Sequence, residues 1–376
     1  MAIQKLTIEE FLVLAQQYPV LDVRSPGEYT HAHIPGAHNL PLFNDEERKL
    51  VGTAYKQQSR EAAIKIGLDF FGVKMKAMVE EVEKIVSGWQ LTVGKGHIAN
   101  GNKLPESKQH QLRTANCVLL HCWRGGMRSA GIAWLLDLYG FKVYTLVGGY
   151  KAYRKWVLAQ FEKEYNFNII GGYTGSGKTL LLHELKKQNQ TIIDLEALAC
   201  HKGSAFGAFG EKEQPGQEMF ENLLAGKLQA ASHELRAMSI WLEDESQRIG
   251  NLQIPMPLWY NMRKCPVYFL DIPFEERLGY LVEEYGKFEK EKLVNAIIRI
   301  QKRLGGLETK NAINHLLEND HKECFRILLT YYDKWYGKAL FNRENITALL
   351  NKIPCSSVDT TANIKKLLSC NVVSTS

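Results

Sequence analysis

Apolar residues along the chain gather in short blocks, and most blocks end in a turn signal followed by helical spacing. The first block is Val20-Leu21-Asp22-Val23, closed by Arg24 and turned by Ser25-Pro26-Gly27. Residues 44–89 then read as helices with a polar start. "NCVLLHC" (116–122) is a second strand, and "MRSAGIAWLLDLYG" (127–140) carries Ile132, Leu135 and Leu136 at helical spacing before Gly140 stops it. "FKVYTLVGGYKAYRKW" gives a third strand and its helix. The rhythm resumes with "NFNIIGGYTGSGKTLLLHELKK", which reads strand, glycine loop, helix. Three further strands follow: "TIIDLEALA", ending in Asp194 and Glu196; "MSIWLEDES", ending in Glu243, Asp244 and Glu245; and Val267 to Leu270, before another helix. Strands alternating with helices predict parallel α/β sheets. Two domains are expected: 1–162, and 163–376 with a helical C-terminal part. The polar, Gly-rich stretch 91–113 predicts an exposed loop between elements of the first.

Composition narrows the class only a little. The 376 residues suit two or three domains, and 45% hydrophobic content is ordinary for globular chains. The net charge of +6 permits a polyanionic partner without demanding one. Seven cysteines without any C-x-x-C pair exclude a zinc-ribbon or disulfide framework and fit a reducing compartment. No apolar run reaches the ~20 residues of a membrane span, and the charged N-terminus has no signal-peptide core. A soluble, cytoplasmic protein with no membrane partner is expected.

Two loops carry chemistry. In "HCWRGGMRS" the strand delivers Cys122 to the edge of its sheet. Gly125 and Gly126 let backbone N–H groups turn inward, and a helix beginning near Met127 or Arg128 points its positive end at the sulfur. Arg124 and Arg128 add charge, so Cys122 is expected to be a low-pKa nucleophile rather than core filling. Cys117, inside the strand, is either a resolving thiol or core. Asp22 and Arg24 tie strand end to loop, and His31 and His33 are surface or turn residues. The second loop, Gly172-x4-Gly177-Lys178-Thr179, satisfies the Walker A pattern in its required strand–helix context. Gly172, Gly175 and Gly177 let the backbone wrap phosphates, Lys178 reaches the terminal ones, and Thr179 can ligate Mg2+. Asp194 and either Glu243 or Asp244 are candidates for a magnesium-linked acid. His201, Lys202 and Ser204 sit in a loop at the sheet's ligand-binding edge. Arg299 and Arg303, with Lys302 beside them, form either a phosphate clamp or a solvated basic face. "TYYDKWYGKALF" is either core or a base-stacking surface.

Residues 21–41 ("LDVRSPGEYTHAHIPGAHNLP"), the thiol loop and "LVGGYKAYRKW" together resemble a rhodanese domain. Further segments extend the likeness over nearly the whole length: "NLPLFNDEERKLVGTAYKQQ", "GGYTGSGKTLLL", "DLEALACHKGSAFG", "ENLLAGKL", "WLEDESQRIG" and "RIQKRLG". With them the chain resembles the tRNA 2-selenouridine synthase family. The resemblance implies an enzyme that replaces the sulfur of wobble 2-thiouridine in tRNA by selenium. It implies selenophosphate as donor, geranyl diphosphate as the source of an S-geranyl intermediate, Cys122 as selenium carrier, and the selenophosphate-producing enzyme as a partner. Two readings of the residues stay open beside it: a sulfurtransferase fused to a small-molecule kinase, and a rhodanese module that only regulates an NTPase.

Overall fold

The computed structural model describes residues 3–94, 116–234 and 239–373. It divides into two units, Met1–Ala159 and Gln160–Ser376, at the last turn of the helix Gly149–Phe161. Residues 91–94 of the expected loop end the helix Met75–Gly94, and the remainder of that loop lies outside the described residues.

In the first unit five strands, β1 (Gln4–Leu6), β2 (Val20–Asp22), β3 (His38–Asn39), β4 (Cys117–His121) and β5 (Lys142–Leu146), form one sheet in the order β1-β5-β4-β2-β3. Every pairing is parallel, with Leu120 opposite both Leu21 and Thr145. β4 is the central strand and is buried at every position, as a parallel strand covered on both faces requires. Its residues join Ile132, Leu135 and Leu136 of the helix Met127–Tyr139 in the core, so the apolar spacing read from sequence is the packed face. Gly140 ends that helix in the left-handed region, with its N–H bonded to Leu136 and Asp137 carbonyls. Capping boxes at Thr7, Ser25 and Asn44, each with Glu three residues on, start the helices Ile8–Leu14, Pro26–His31 and Asp45–Gln57.

The second unit repeats the architecture. Strands β6 (Phe167–Gly172), β7 (Ile192–Ile193), β8 (Ile240–Glu243), β11 (Val267–Asp271) and β12 (Leu350–Pro354) form a parallel sheet ordered β12-β11-β6-β8-β7. β9 (Arg248–Ile249) and β10 (Leu252–Gln253) make a separate antiparallel pair. β6 is central and wholly buried, and the P-loop leaves its carboxyl end. Both loops singled out in sequence therefore depart from the middle strand of a five-stranded parallel sheet, where ligands of open α/β sheets bind. A helical layer, including Phe274–Tyr285, Lys290–Leu304, Gly306–Leu317 and His321–Phe341, builds its own apolar core around Leu281, Ile297, Phe325 and Leu329.

One expected strand is corrected. "TIIDLEALA" keeps only Ile192–Ile193 extended, and Leu195–Ala199 is a short helix. The Asp194 carboxylate accepts from the Ala197 N–H at 2.7 Å and so caps that helix, and Leu and Ala favour helix once a cap is present.

Candidate functional site

The thiol loop is shaped by close backbone approach. Gly149 has φ +57°, and a Cβ on it would lie 2.3 Å from the Cys122 carbonyl oxygen. Only glycine fits there. The Tyr150 N–H in turn donates to that carbonyl at 2.8 Å. Asp22 and Arg24 act as expected: the Arg24 guanidinium binds Asp22 and, at 2.7 Å, the Ala32 carbonyl, and it stacks 3.8 Å over the Tyr150 ring. Fully buried His121 lies beside them, and burial drives its pKa down to about 4, so it is neutral at pH 7.

Cys122 is buried at 3% exposure, which by itself would push its thiol up. Hydrogen bonding outweighs the burial and leaves the thiol below its ordinary value. Ser129 Oγ is 3.3 Å from the sulfur, and the Gly126 N–H donates to the sulfur at 3.3 Å. Ser129 Oγ also lies 3.0 Å from the Gly126 carbonyl, so its single proton serves two acceptors. With a neutral thiol that proton binds the carbonyl; with a thiolate it can turn to the sulfur. Ser129 was not singled out in sequence, although its place one turn into the helix behind the glycines is the signal that could have found it.

The arginines do less than expected. Arg128 forms an ion pair with Glu28 at 2.7 Å, and Arg124 is exposed. Guanidinium charge is thus spent on, or open to, groups other than the sulfur. Cys117 begins β4 and Cys122 follows its end, so the two thiols sit at opposite edges of the sheet, about 16 Å apart along an extended strand. Burial pushes the Cys117 thiol up. It is core, not a resolving partner.

In the second unit Gly177 adopts the left-handed region and starts the helix Lys178–Lys187. The Lys178 ammonium donates to the Gly172 carbonyl at 3.0 Å across the loop, and Thr179 Oγ1 donates to Glu196 Oε2 at 3.1 Å. Glu196, Glu243 and Glu245 bring carboxylate oxygens within 4.8 Å of one another. Glu243 is fully buried, and among the described residues neither of its carboxylate oxygens has a close hydrogen-bond partner. Burial, with Glu196 and Asp194 nearby, raises its pKa to about 8. Burial raises Glu196 and Glu245 as well, helped by Asp194 at Glu196 and by Glu196, Glu243 and Asp244 at Glu245. An orphaned buried carboxylate beside a P-loop hydroxyl fits a hard divalent cation, since an all-oxygen donor set suits Mg2+.

Glu243 and Asp244, the two candidates for a magnesium-linked acid, have different surroundings. Asp244 accepts from Tyr336 Oη at 2.6 Å and pairs with buried Arg343, while the Gly172 N–H donates to the same Tyr336 oxygen at 3.1 Å. Asp244 therefore anchors the P-loop to the helix His321–Phe341. Asp194 does not join the carboxylate cluster; its side chain caps a helix and binds His183 Nε2 at 2.7 Å. Arg277, also missed in sequence, grips Asp333 at 2.7 Å and the Thr174 carbonyl at 3.1 Å, bracing the loop from its far side.

A cleft of about 540 Å³ opens above the P-loop, lined by Lys178, Thr179, Glu196, Lys202, Ser204 and Glu245, with Tyr285, Tyr332, Trp335 and Tyr336 opposite. Lys202 holds Glu284 at 3.2 Å at this cleft. His201 lies outside its lining, half-buried, with its pKa lowered by burial and by Arg299. Arg299, Lys302 and Arg303 are exposed on the helix Lys290–Leu304 and are not among the residues lining the cleft. "TYYDKWYGKALF" divides: Tyr336 is tied into the Asp244 anchor, and Trp335 is half-exposed at the cleft.

A low-pKa thiol in a rhodanese loop and a P-loop with a carboxylate cluster, each on its own parallel sheet, define a two-unit chain of rhodanese and P-loop type. The family model described as "Rhodanese-like domain" matches residues 7–65, and that described as "tRNA 2-selenouridine synthase AAA domain" matches 165–353. The chain is 35% identical over 366 residues to the tRNA 2-selenouridine synthase of Hydrogenovibrio crunogenus, covering 88% of this chain and 92% of that one. It is 33% identical to the synthase of Bdellovibrio bacteriovorus (89% and 92% covered) and 33% to that of Shewanella piezotolerans (86% and 89%). The chain belongs to the tRNA 2-selenouridine synthase family.

Proposed function

We propose that this chain makes 2-selenouridine in tRNA, exchanging the sulfur of wobble 2-thiouridine for selenium from selenophosphate through an S-geranyl intermediate. The observation that carries the reading is the pairing, within one chain of this family, of a thiol held low by Ser129 and Gly126 with a P-loop cleft that combines charged groups with the rings of Tyr285, Tyr332, Trp335 and Tyr336. Sulfur on the pyrimidine C2 leaves poorly. Alkylation turns it into a leaving group, and the P-loop unit is the place for that step: its backbone and Lys178 bind the diphosphate of geranyl diphosphate. Thr179, Glu196, Glu243 and Glu245 would hold Mg2+, which would neutralise charge on the departing diphosphate. In the rhodanese unit, selenium stays at the selenide level: water breaks the P–Se bond of selenophosphate and leaves phosphate, and the selenium anion is held beside Cys122 by the Gly126 N–H and the helix N-terminus, with no oxidant required.

The test is mass spectrometry of nucleosides from 2-thiouridine tRNA incubated with geranyl diphosphate, selenophosphate and each variant. Cys122→Ala leaves the alkylating cleft intact and is expected to accumulate S-geranyl-2-thiouridine without selenouridine. Lys178→Ala is expected to stop earlier, at unreacted 2-thiouridine. Normal selenouridine from Cys122→Ala would remove the thiol from the mechanism. ATP turnover with a phosphorylated small molecule and no change to tRNA would favour a sulfurtransferase–kinase fusion.

A further inference from the structure

Trp123 follows the reactive cysteine directly, yet it is 38% exposed while Cys122 is 3% exposed. A large ring at the surface beside a buried thiol is not core filling. Its backbone is fixed: the Tyr150 N–H donates to the Cys122 carbonyl at 2.8 Å, and the Lys151 N–H to the Trp123 carbonyl at 3.0 Å. The loop is pinned behind it as well. Gly125 has φ +65°, and a Cβ there would lie 2.7 Å from the Leu146 carbonyl oxygen. The indole is also braced from within. Buried Tyr150 stands 5.7 Å from it, and the buried Arg24 guanidinium lies 5.9 Å from its centre. A ring held this way loses little freedom when something stacks on its exposed part.

Cations flank the ring. Arg124 is the next residue of the loop, and the hydrogen bond to the Trp123 carbonyl sets Lys151 beside it. Lys155 follows one turn along the helix Gly149–Phe161, and all three are exposed. They offer a line of positive charge rather than a point. Glu28, the acid at this loop, is already engaged by Arg128. An aromatic plane next to a row of cations is the equipment that binds single-stranded nucleic acid: the ring takes a base, and the cations take its phosphates. A base still stacked inside a duplex has no free face to offer, so the arrangement suits one turned out of its stack.

We propose that Trp123, Arg124 and Lys151 form a nucleotide-binding subsite at the thiol loop. The indole stacks the base undergoing exchange, and the two cations, continued by Lys155, hold the phosphates beside it. The inference rests on the function proposed above and adds the positioning residues of its selenium-transferring half. A base seated on Trp123 is brought next to Cys122, where that function places the selenium anion.

The first measurement is photo-crosslinking of the full chain to an anticodon stem–loop RNA carrying 5-iodouridine at the wobble position, with the joined peptide read by mass spectrometry. A crosslink at Trp123 is expected. The second is the steady-state rate of selenium exchange on the same stem–loop carrying S-geranyl-2-thiouridine. Trp123→Ala is expected to raise KM for this RNA roughly tenfold, and Trp123→Phe, which keeps an aromatic plane, to recover most of the loss. The pH profile of Cys122 alkylation by iodoacetamide should stay that of the wild type in both. If Trp123→Ala disturbs that profile, Trp123→Phe and the crosslink carry the comparison. Replacing Arg124 and Lys151 by Ala should make the salt slope of stem–loop binding shallower by about 0.7 for each phosphate released. Crosslinks confined to the second unit, or equal impairment by Ala and Phe at position 123, would overturn the proposal. So would Trp123→Ala losing association with a selenophosphate-producing protein while keeping its RNA affinity, which would make the rim a protein-docking surface. Selenouridine formed by Trp123→Ala with an unaltered KM sinks the subsite alone. A Trp123 crosslink in a chain that makes no selenouridine sinks the function alone.

Discussion

The Ser129 hydroxyl lies 3.3 Å from the Cys122 sulfur and competes for its own proton with the Gly126 carbonyl at 3.0 Å. The thiolate therefore gains a donor that the thiol does not have. A hydrogen bond to a charged group contributes ~1.5–3 kcal/mol, equivalent to about one to two pKa units. Ser129→Ala should shift the pH profile of Cys122 alkylation by iodoacetamide upward by about that much and slow selenouridine formation at pH 7. Arg124→Ala should move the profile far less, since Arg124 is exposed. Identical profiles for wild type and Ser129→Ala would show that the helix N-terminus alone sets the thiol.

The strands and both loops were legible because parallel strands buried on two faces write continuous apolar runs, as "CVLLH" and "FNIIGG" do. Glycine loops with fixed spacing added the rest. What escaped reading depends on contacts between distant segments. β12 pairs with β11 across some eighty residues, and its sequence "LNKIP" has no strong pattern. Arg128 looked like a charge for the thiol because its partner, Glu28, is a hundred residues away. Glu243 and Glu245 point to one cluster and Asp244 between them points away, because the alternation of an extended strand carries on past the end of β8 at Glu243.

Asp244 and Glu243 should separate cleanly by stability. Asp244 neutralises Arg343, and both side chains are almost fully buried. Asp244→Asn leaves a buried guanidinium without its counter-charge, a change that typically costs ~3–5 kcal/mol. Its thermal midpoint should fall by many degrees with or without Mg2+. A midpoint within a degree of the wild type would mean that Arg343 has another counter-ion.

Binding of tRNA should depend on the exposed basic face of the helix Lys290–Leu304, which carries Arg299, Lys302 and Arg303. Each phosphate neutralised contributes about −0.9 to the log–log salt slope on duplex and about −0.7 on single strands. Replacing all three by Ala should make the slope shallower by roughly two units, read by filter binding between low and physiological salt. An unaltered slope would place the tRNA footprint elsewhere.

Glu243 gives the protein a pH dependence with a definite sign. Burial first, then Glu196 and Asp194, hold its folded pKa at about 8, above the ordinary carboxylate value. The folded state therefore binds this proton more tightly than the unfolded chain does. Its stabilising effect is complete below the unfolded pKa and is lost as pH rises through about 8. In the absence of Mg2+ the melting temperature should fall between pH 5 and pH 8, and Glu243→Gln, which keeps the shape but never ionises, should flatten that fall and melt higher than wild type at pH 8. A divalent cation needs the ionised carboxylate, so binding must displace the proton, and Mg2+ affinity should rise with pH up to about 8. Added Mg2+ should restore the wild-type midpoint at pH 8 and do little for Glu243→Gln. Calorimetric melts at pH 5 and pH 8, with and without Mg2+, decide the matter: if the variant melts lower than wild type at pH 8 without the cation, Glu243 is ionised and paired in the fold, and the carboxylate cluster is not waiting for a metal.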